Sequence, residues 1–99
     1  MFIHVVFFWC KEGTADSVKE EMIRYAHEQM AKISSVRHVW AGRSVPSPRE
    51  VVDSSYDVGL CVVFDDKAGH DLYQPHEIHQ EFVKRFSSHW AKVKVQDFA

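Results

Sequence analysis

Hydrophobic residues recur along this chain in two rhythms, every second residue in some stretches and every third or fourth in others, and the switches between them lay out its elements. Phe2 to Cys10 is apolar on both parities, with Phe2, Val6, Phe8 and Cys10 on one and Ile3, Val5, Phe7 and Trp9 on the other. A strand of this kind is expected to have both faces covered. The turn Glu12-Gly13-Thr14 leads into a helix on which Val18, Met22, Ala26, Met30 and Ile33 keep helical spacing. Thr14 is its expected N-cap, Asp16 complements the dipole, and Glu20 with Arg24 and Glu28 with Lys32 are spaced as i,i+4 ion pairs.

Val36 to Val45 is β-branched and aromatic and predicts a second strand, closed by Pro46-Ser-Pro48, where proline removes ladder donors. After a polar excursion over Arg49 to Ser55, Tyr56 to Phe64 predicts a third, with Tyr56, Val58, Leu60, Val62 and Phe64 on one parity. Asp65-Asp66 caps a short helical turn through Tyr73, and Pro75 suits the first position of a further helix. Along that helix Ile78, Phe82, Phe86 and Trp90 repeat every four residues, and Lys92 to Phe98 closes the chain as a last strand.

The order β-α-β-β-α-β is the split βαβ arrangement of the ferredoxin-like fold, an α+β architecture with an antiparallel sheet, here one domain over residues 1–99. Its sheet places the first strand between the third and fourth, with both helices on one face. The other side of an apolar first strand then needs a cover. The expected solution is a two-fold homodimer with sheets packed face to face.

Composition removes several classes of function. At 45% hydrophobic and 26% charged residues, the chain is too apolar for disorder and too charged for a membrane span. Twelve basic against 14 acidic residues give a net charge of -2, which offers no basic field for nucleic acid and no polybasic patch for lipid. Neither nucleic acid nor a membrane is an expected partner. Cys10 and Cys61 sit in apolar runs without C-x-x-C spacing and are read as buried free thiols of a cytoplasmic protein. The apolar start lacks a basic n-region and a small-residue cleavage site, so it is read as a strand and not as a signal segment.

Topology alone gathers one cluster. The third strand runs antiparallel to the first, so its end at Phe64 lies near His4, and the segment from Asp65 to His79 begins there. His4 shares parity with Val6 and Phe8, His79 lies beside the apolar stripe of the last helix, and Tyr73 lies between them in sequence. Two imidazoles and a phenol near an apolar cleft make an acid-base site for a small molecule. His79 is the expected base, since a helix N-terminus and burial both favour the neutral ring. Tyr73, with an ordinary pKa of about 10, is the expected hydrogen-bond donor to a carbonyl. His76, Phe82 and Ile23 are the expected ligand contacts. His76-Glu-Ile-His79 also offers two imidazoles on one helical face, with His70, Asp71 and Glu77 nearby, but two ligands do not make a metal site. No metal and no cofactor are expected.

Several of these segments resemble the stress-responsive α/β-barrel (Dabb) family. They are Ile3-His4-Val5-Val6-Phe7, Trp40-Ala-Gly42-Arg-Ser44, Tyr56-Asp57-Val58-Gly-Leu60, the stretch from Leu72-Tyr73 to His79, and Val95-Gln-Asp97-Phe98. The resemblance covers nearly the whole chain and implies a ferredoxin-like protomer that pairs into a dimeric α/β barrel. The family includes plant stress proteins that build larger rings, bacterial members without assigned activity, and a plant polyketide cyclase that closes a ring by aldol condensation. Tyr73, His79 and His4 match that cyclase's active-site tyrosine and histidines, and His76 matches a histidine common between them. Family members place proline directly after that middle histidine, whereas here Glu77 follows and Pro75 precedes it. The resemblance thus implies, first, a homodimer with an apolar pocket for a small or polyketide-like ligand. Its alternatives are a cyclase-like lyase using His79, Tyr73 and His4, or a stress-protective assembly protein without ligand.

Overall fold

A run of nine residues, nearly all β-branched or aromatic, dominates the start of the chain, and in the computed structural model, which describes Met1 to Ala99, it forms the strand on which the sheet is built. This strand, β1 (Phe2–Cys10), is followed by α1 (Asp16–Glu28), β2 (Val36–Arg43), β3 (Val58–Phe64), α2 (Lys67–Tyr73), α3 (Glu77–Phe86) and β4 (Trp90–Phe98). Single 3₁₀ turns follow α1 at Met30–Lys32 and α3 at Ser87–His89. The sheet order is β2-β3-β1-β4 with every pairing antiparallel, which is the ferredoxin-like βαββαβ fold.

The helices cover the sheet face that carries His4, Val6 and Phe8 of β1 together with Val58, Leu60, Val62 and Phe64 of β3. Met22, Ala26, Met30 and Ile33 meet it from α1 and the turn beyond, and Phe82 and Phe86 from α3, as their spacing required. Trp90 also packs on this core, although it belongs to β4 and not to the helix.

The opposite face is the open one that the topology leaves without a cover inside one chain. Ile3, Val5, Phe7 and Trp9 are only half-buried, because all three helices lie on the other side and within one chain only the segment before β3 reaches over them. Tyr56 packs at a tilt against Phe7 with ring centroids 4.8 Å apart, and Ser55 accepts a hydrogen bond from the Trp9 indole at 3.0 Å. Tyr56 is therefore not on the face of Val58. At Asp57 the backbone N–H donates to Phe8 O and the carboxylate accepts from the Cys10 N–H, so β3 starts only at Val58.

The ends of other elements shift for local reasons. Thr14 donates its hydroxyl to Lys11 O to close the turn after β1, where Gly13 has φ of 85°, so the N-cap of α1 is Ala15 without a side-chain bond. Glu20 pairs with Arg43 of β2 instead of Arg24, and Lys32 reaches Gln29 instead of Glu28. β2 stops at that arginine, leaving Val45 exposed.

Candidate functional site

Four side chains from three elements converge at the sheet end where β3 leaves for α2. Asp66 caps α2 by accepting from the Gly69 N–H at 3.0 Å. Gly69 lets the helix lie flat on the strand end, since a Cβ there would stand 3.3 Å from Phe64 Cβ. His70 and Tyr73, three residues apart on the helix, thereby pack on Phe64 with ring centroids 5.7 and 5.2 Å away. His4 of β1 lies 4.9 Å from His70 and 6.0 Å from Tyr73, and His79 lies 4.6 Å from Tyr73 on the far side. A fully buried phenol thus sits among three imidazoles.

Hydrogen bonds fix the tautomers. His79 Nδ1 is 2.9 Å from Gln74 O, an atom that only accepts, so Nδ1 carries the proton and Nε2 keeps its lone pair. His4 Nδ1 is 2.5 Å from Asp97 Oδ1, and donation to the carboxylate likewise leaves Nε2 as the basic atom. His70 Nδ1 lies 3.2 Å from Asp71 and its Nε2 3.2 Å from the Gln74 side-chain amide, again the Nδ1–H form. Burial holds His79 below the ordinary imidazole value, with the Gln74 carbonyl opposing and the other two histidines adding to the effect. Burial also lowers His4 against the opposing pull of Asp97, and it pushes the Tyr73 phenol far up. At neutral pH His4 and His79 are therefore neutral imidazoles beside a protonated phenol.

His4, Tyr73 and His79 form one end of a cavity of about 150 Å³ between α3 and the β1–β4 half of the sheet. Its apolar wall comes from Val6, Phe8, Leu60, Phe82 and Trp90, and Val93 and Val95 form a half-open rim on β4. His4, Tyr73, Gln74 and His79 are its polar residues. The Tyr73 hydroxyl and the Trp90 indole N–H are buried without a hydrogen-bond partner, an unusual state for buried donors.

Of the six residues singled out from sequence, His79, Tyr73, His4 and Phe82 line this cavity. His76 and Ile23 do not. His76 is the N-cap of α3, its Nδ1 accepting from the Ile78 N–H at 3.1 Å, so the helix begins at Glu77 and not at Pro75. That cap sets His79 in the first turn of α3, facing Tyr73, although the proline stands before the histidine here. Ile23 packs on the core from α1.

A match to the stress responsive A/B barrel domain, Dabb, spans residues 2–99. The chain belongs to the Dabb family. No curated protein matches it in sequence. Among solved structures, a dimeric ferredoxin-like protein of unknown function from Thermobifida fusca superposes with TM-score 0.84 at 18% identity, covering 99% of this chain and 89% of that one. A Dabb family protein with a ferredoxin-like fold from Mesorhizobium loti gives 0.78 at 23% identity, over 99% and 94%. Hydroxynitrile lyase from Passiflora edulis gives 0.82 at 15% identity, over 98% and 90%. No helix of this Dabb chain is long and apolar enough to cross a membrane.

The structure adds Asp97, Gln74 and Trp90 to the site, and brings in His70, which the sequence set only beside the His76 and His79 pair. Asp97 had a visible signal: it shares parity with Val93 and Val95, and the antiparallel register with β1 sets it opposite His4. Gln74 had none, because its role rests on a backbone carbonyl and on the bend between two helices.

Proposed function

We propose that this Dabb protein is a homodimer, each protomer of which binds a small, mainly apolar molecule carrying a hydrogen-bond acceptor in the cavity between α3 and the β1–β4 half of the sheet. One observation carries the reading: at the polar end of an apolar cavity, the Tyr73 hydroxyl is buried without a partner beside the free lone pair of His79 Nε2. A buried donor left unpaired costs about 1–3 kcal/mol, and a ligand oxygen recovers it. The volume suits a single-ring compound, since cavities of about this size take up benzene. A longer polyketide-like chain requires the rim at Val93 and Val95 to open. The dimer reading is supported by the half-buried apolar face of β1 and by the dimeric state of the similar protein from Thermobifida fusca. The two free thiols fit a reducing compartment such as the cytoplasm.

The placement of His79 favours a second reading, catalysis on the bound molecule. His79 Nε2 takes a proton from the carbon α to a carbonyl, the C–H electron pair forms the C=C bond of the enolate as the C=O π pair moves onto the oxygen, and the Tyr73 hydroxyl donates to that oxygen as charge develops. His4, oriented by Asp97, relays the proton. That a hydroxynitrile lyase shares the fold is support at the level of fold alone.

Acetophenone tests both readings. Saturable binding, followed by ligand-observed NMR, is expected for the unmodified protein and is expected to weaken at least tenfold in Tyr73→Phe. Exchange of the methyl protons in D₂O, above the buffer rate and lost in His79→Ala, establishes the catalytic reading. Binding unaffected by either substitution removes the proposed site.

A further inference from the structure

We propose that His4, His70 and Asp97 form a binding site for a divalent transition-metal ion, beside the cavity and distinct from the His76 and His79 pair that the sequence offers. The inference does not rest on the ligand reading above. One potential ligand atom from each of the three lies within 4.8 Å of the others. Ligands on zinc-like ions stand about 2.0–2.2 Å from the metal and so about 3–3.5 Å apart, which side-chain rotation of roughly 1–1.5 Å achieves here.

The donor set is two imidazoles and one carboxylate, a combination that selects Zn²⁺, Co²⁺, Ni²⁺ or Fe²⁺ over Mg²⁺ or Ca²⁺, which prefer all-oxygen sites. Each donor is already oriented. His4 Nδ1 and Asp97 Oδ1 face each other at 2.5 Å, and a metal ion takes the place of the proton between them, that proton passing to His4 Nε2. His70 donates from Nδ1 to Asp71, the outer carboxylate contact that commonly fixes a ligating imidazole, and its Nε2 gives up only a 3.2 Å contact from the Gln74 amide. Access is open as well, since the Asp97 side chain is 37% exposed while His4 is buried.

The site's position gives it a consequence. Its ligands come from β1, α2 and β4, so the ion ties the two strands at the edge of the sheet to the helix that carries Tyr73. Of the three ligands only His4 lines the cavity, so the ion sits behind that wall.

Titration of the metal-free protein with Co²⁺ at pH 7.5, read by visible absorption and by melting temperature, tests the assignment. One Co²⁺ per chain is expected, with d–d bands of a nitrogen and oxygen site, micromolar or tighter affinity, and a rise in melting temperature of several degrees. His70→Phe and Asp97→Asn are each expected to weaken binding at least tenfold. The first keeps an aromatic ring against Phe2 and Phe64, so the fold is retained, and far-UV circular dichroism verifies it. His76→Ala is expected to leave the affinity unchanged. Affinity weaker than millimolar, binding that survives both ligand substitutions, or binding lost in His76→Ala overturns the proposal.

Discussion

The two faces of β1 are built from the same kind of residue and do different work. Val6 and Phe8 are buried under the helices and lead, at the same parity, to a buried histidine, His4. Ile3, Val5, Phe7 and Trp9 are as apolar but only half-buried, with Trp40 of β2 exposed beside them. Where a face is sealed within the chain, a polar group at its end is forced into a fixed hydrogen bond and a fixed tautomer. Where a face is left open, apolar residues define a surface for association and no convergent chemistry. The difference comes from the placement of helices, not from the composition of the strand.

The sharpest way to break this comparison is truncation on the sealed side. Phe8→Ala is expected to cost about 3–5 kcal/mol in urea unfolding, because the ring is buried against Phe82 and Trp90. Phe7→Ala, measured in protein dilute enough to be monomeric, is expected to cost under about half as much. Equal losses would mean that the open face is as much a core as the other. Next in size, Val5→Lys places a charge at the centre of the open face and is expected to halve the native mass in mass spectrometry while leaving the circular dichroism spectrum unchanged. A variant that remains dimeric would locate the self-association elsewhere.

Tyr73→Phe sharpens the contrast further, because stability and function move in opposite directions. Removing an unpartnered buried hydroxyl is expected to stabilise the protomer by about 1–2 kcal/mol, even as ligand affinity falls. A loss of stability would show that the hydroxyl has a partner in solution. The smallest effect is that of pH. Because burial holds His4 and His79 below their ordinary value of 6.5, the unfolded chain takes up protons first as the pH falls. The melting temperature is therefore expected to be flat above about pH 7.5 and to decline below about 6.5. The decline should be shallower in His79→Gln, and ligand affinity should fall below about pH 6 for the same reason. A rise in melting temperature on acidification from pH 7 to 6 would mean that the bond to Asp97 outweighs burial at His4.

Period and topology made most of this protein legible from its residues. The order of elements followed from where the rhythm of Phe2 to Cys10 gave way to that of Val18 to Ile33, and the sheet order then put His4 beside the segment that carries Tyr73 and His79. What escaped was set by single hydrogen bonds. Thr14 and Ala15 both precede a helix, and only the Lys11 carbonyl decides which of them caps it. Tyr56 has the parity of Val58 in sequence, yet the bonds at Asp57 turn it to the other face. His76 is an expected ligand contact from sequence, matching a histidine that the resembling family places between Tyr73 and His79, but a backbone N–H claims its nitrogen. Such choices depend on neighbours far along the chain, which a local pattern does not contain.

The bond between His4 and Asp97 joins residues 93 positions apart. During synthesis, α1, the hairpin of β2 and β3, and both later helices leave the ribosome before β4 does, so for most of translation β1 has a vacant edge and His4 no carboxylate to hold its ring. The basic end of the cavity is then the last part of the domain to be completed. A nascent or prematurely terminated chain has the phenol and the imidazoles of the site but not the arrangement that orients them.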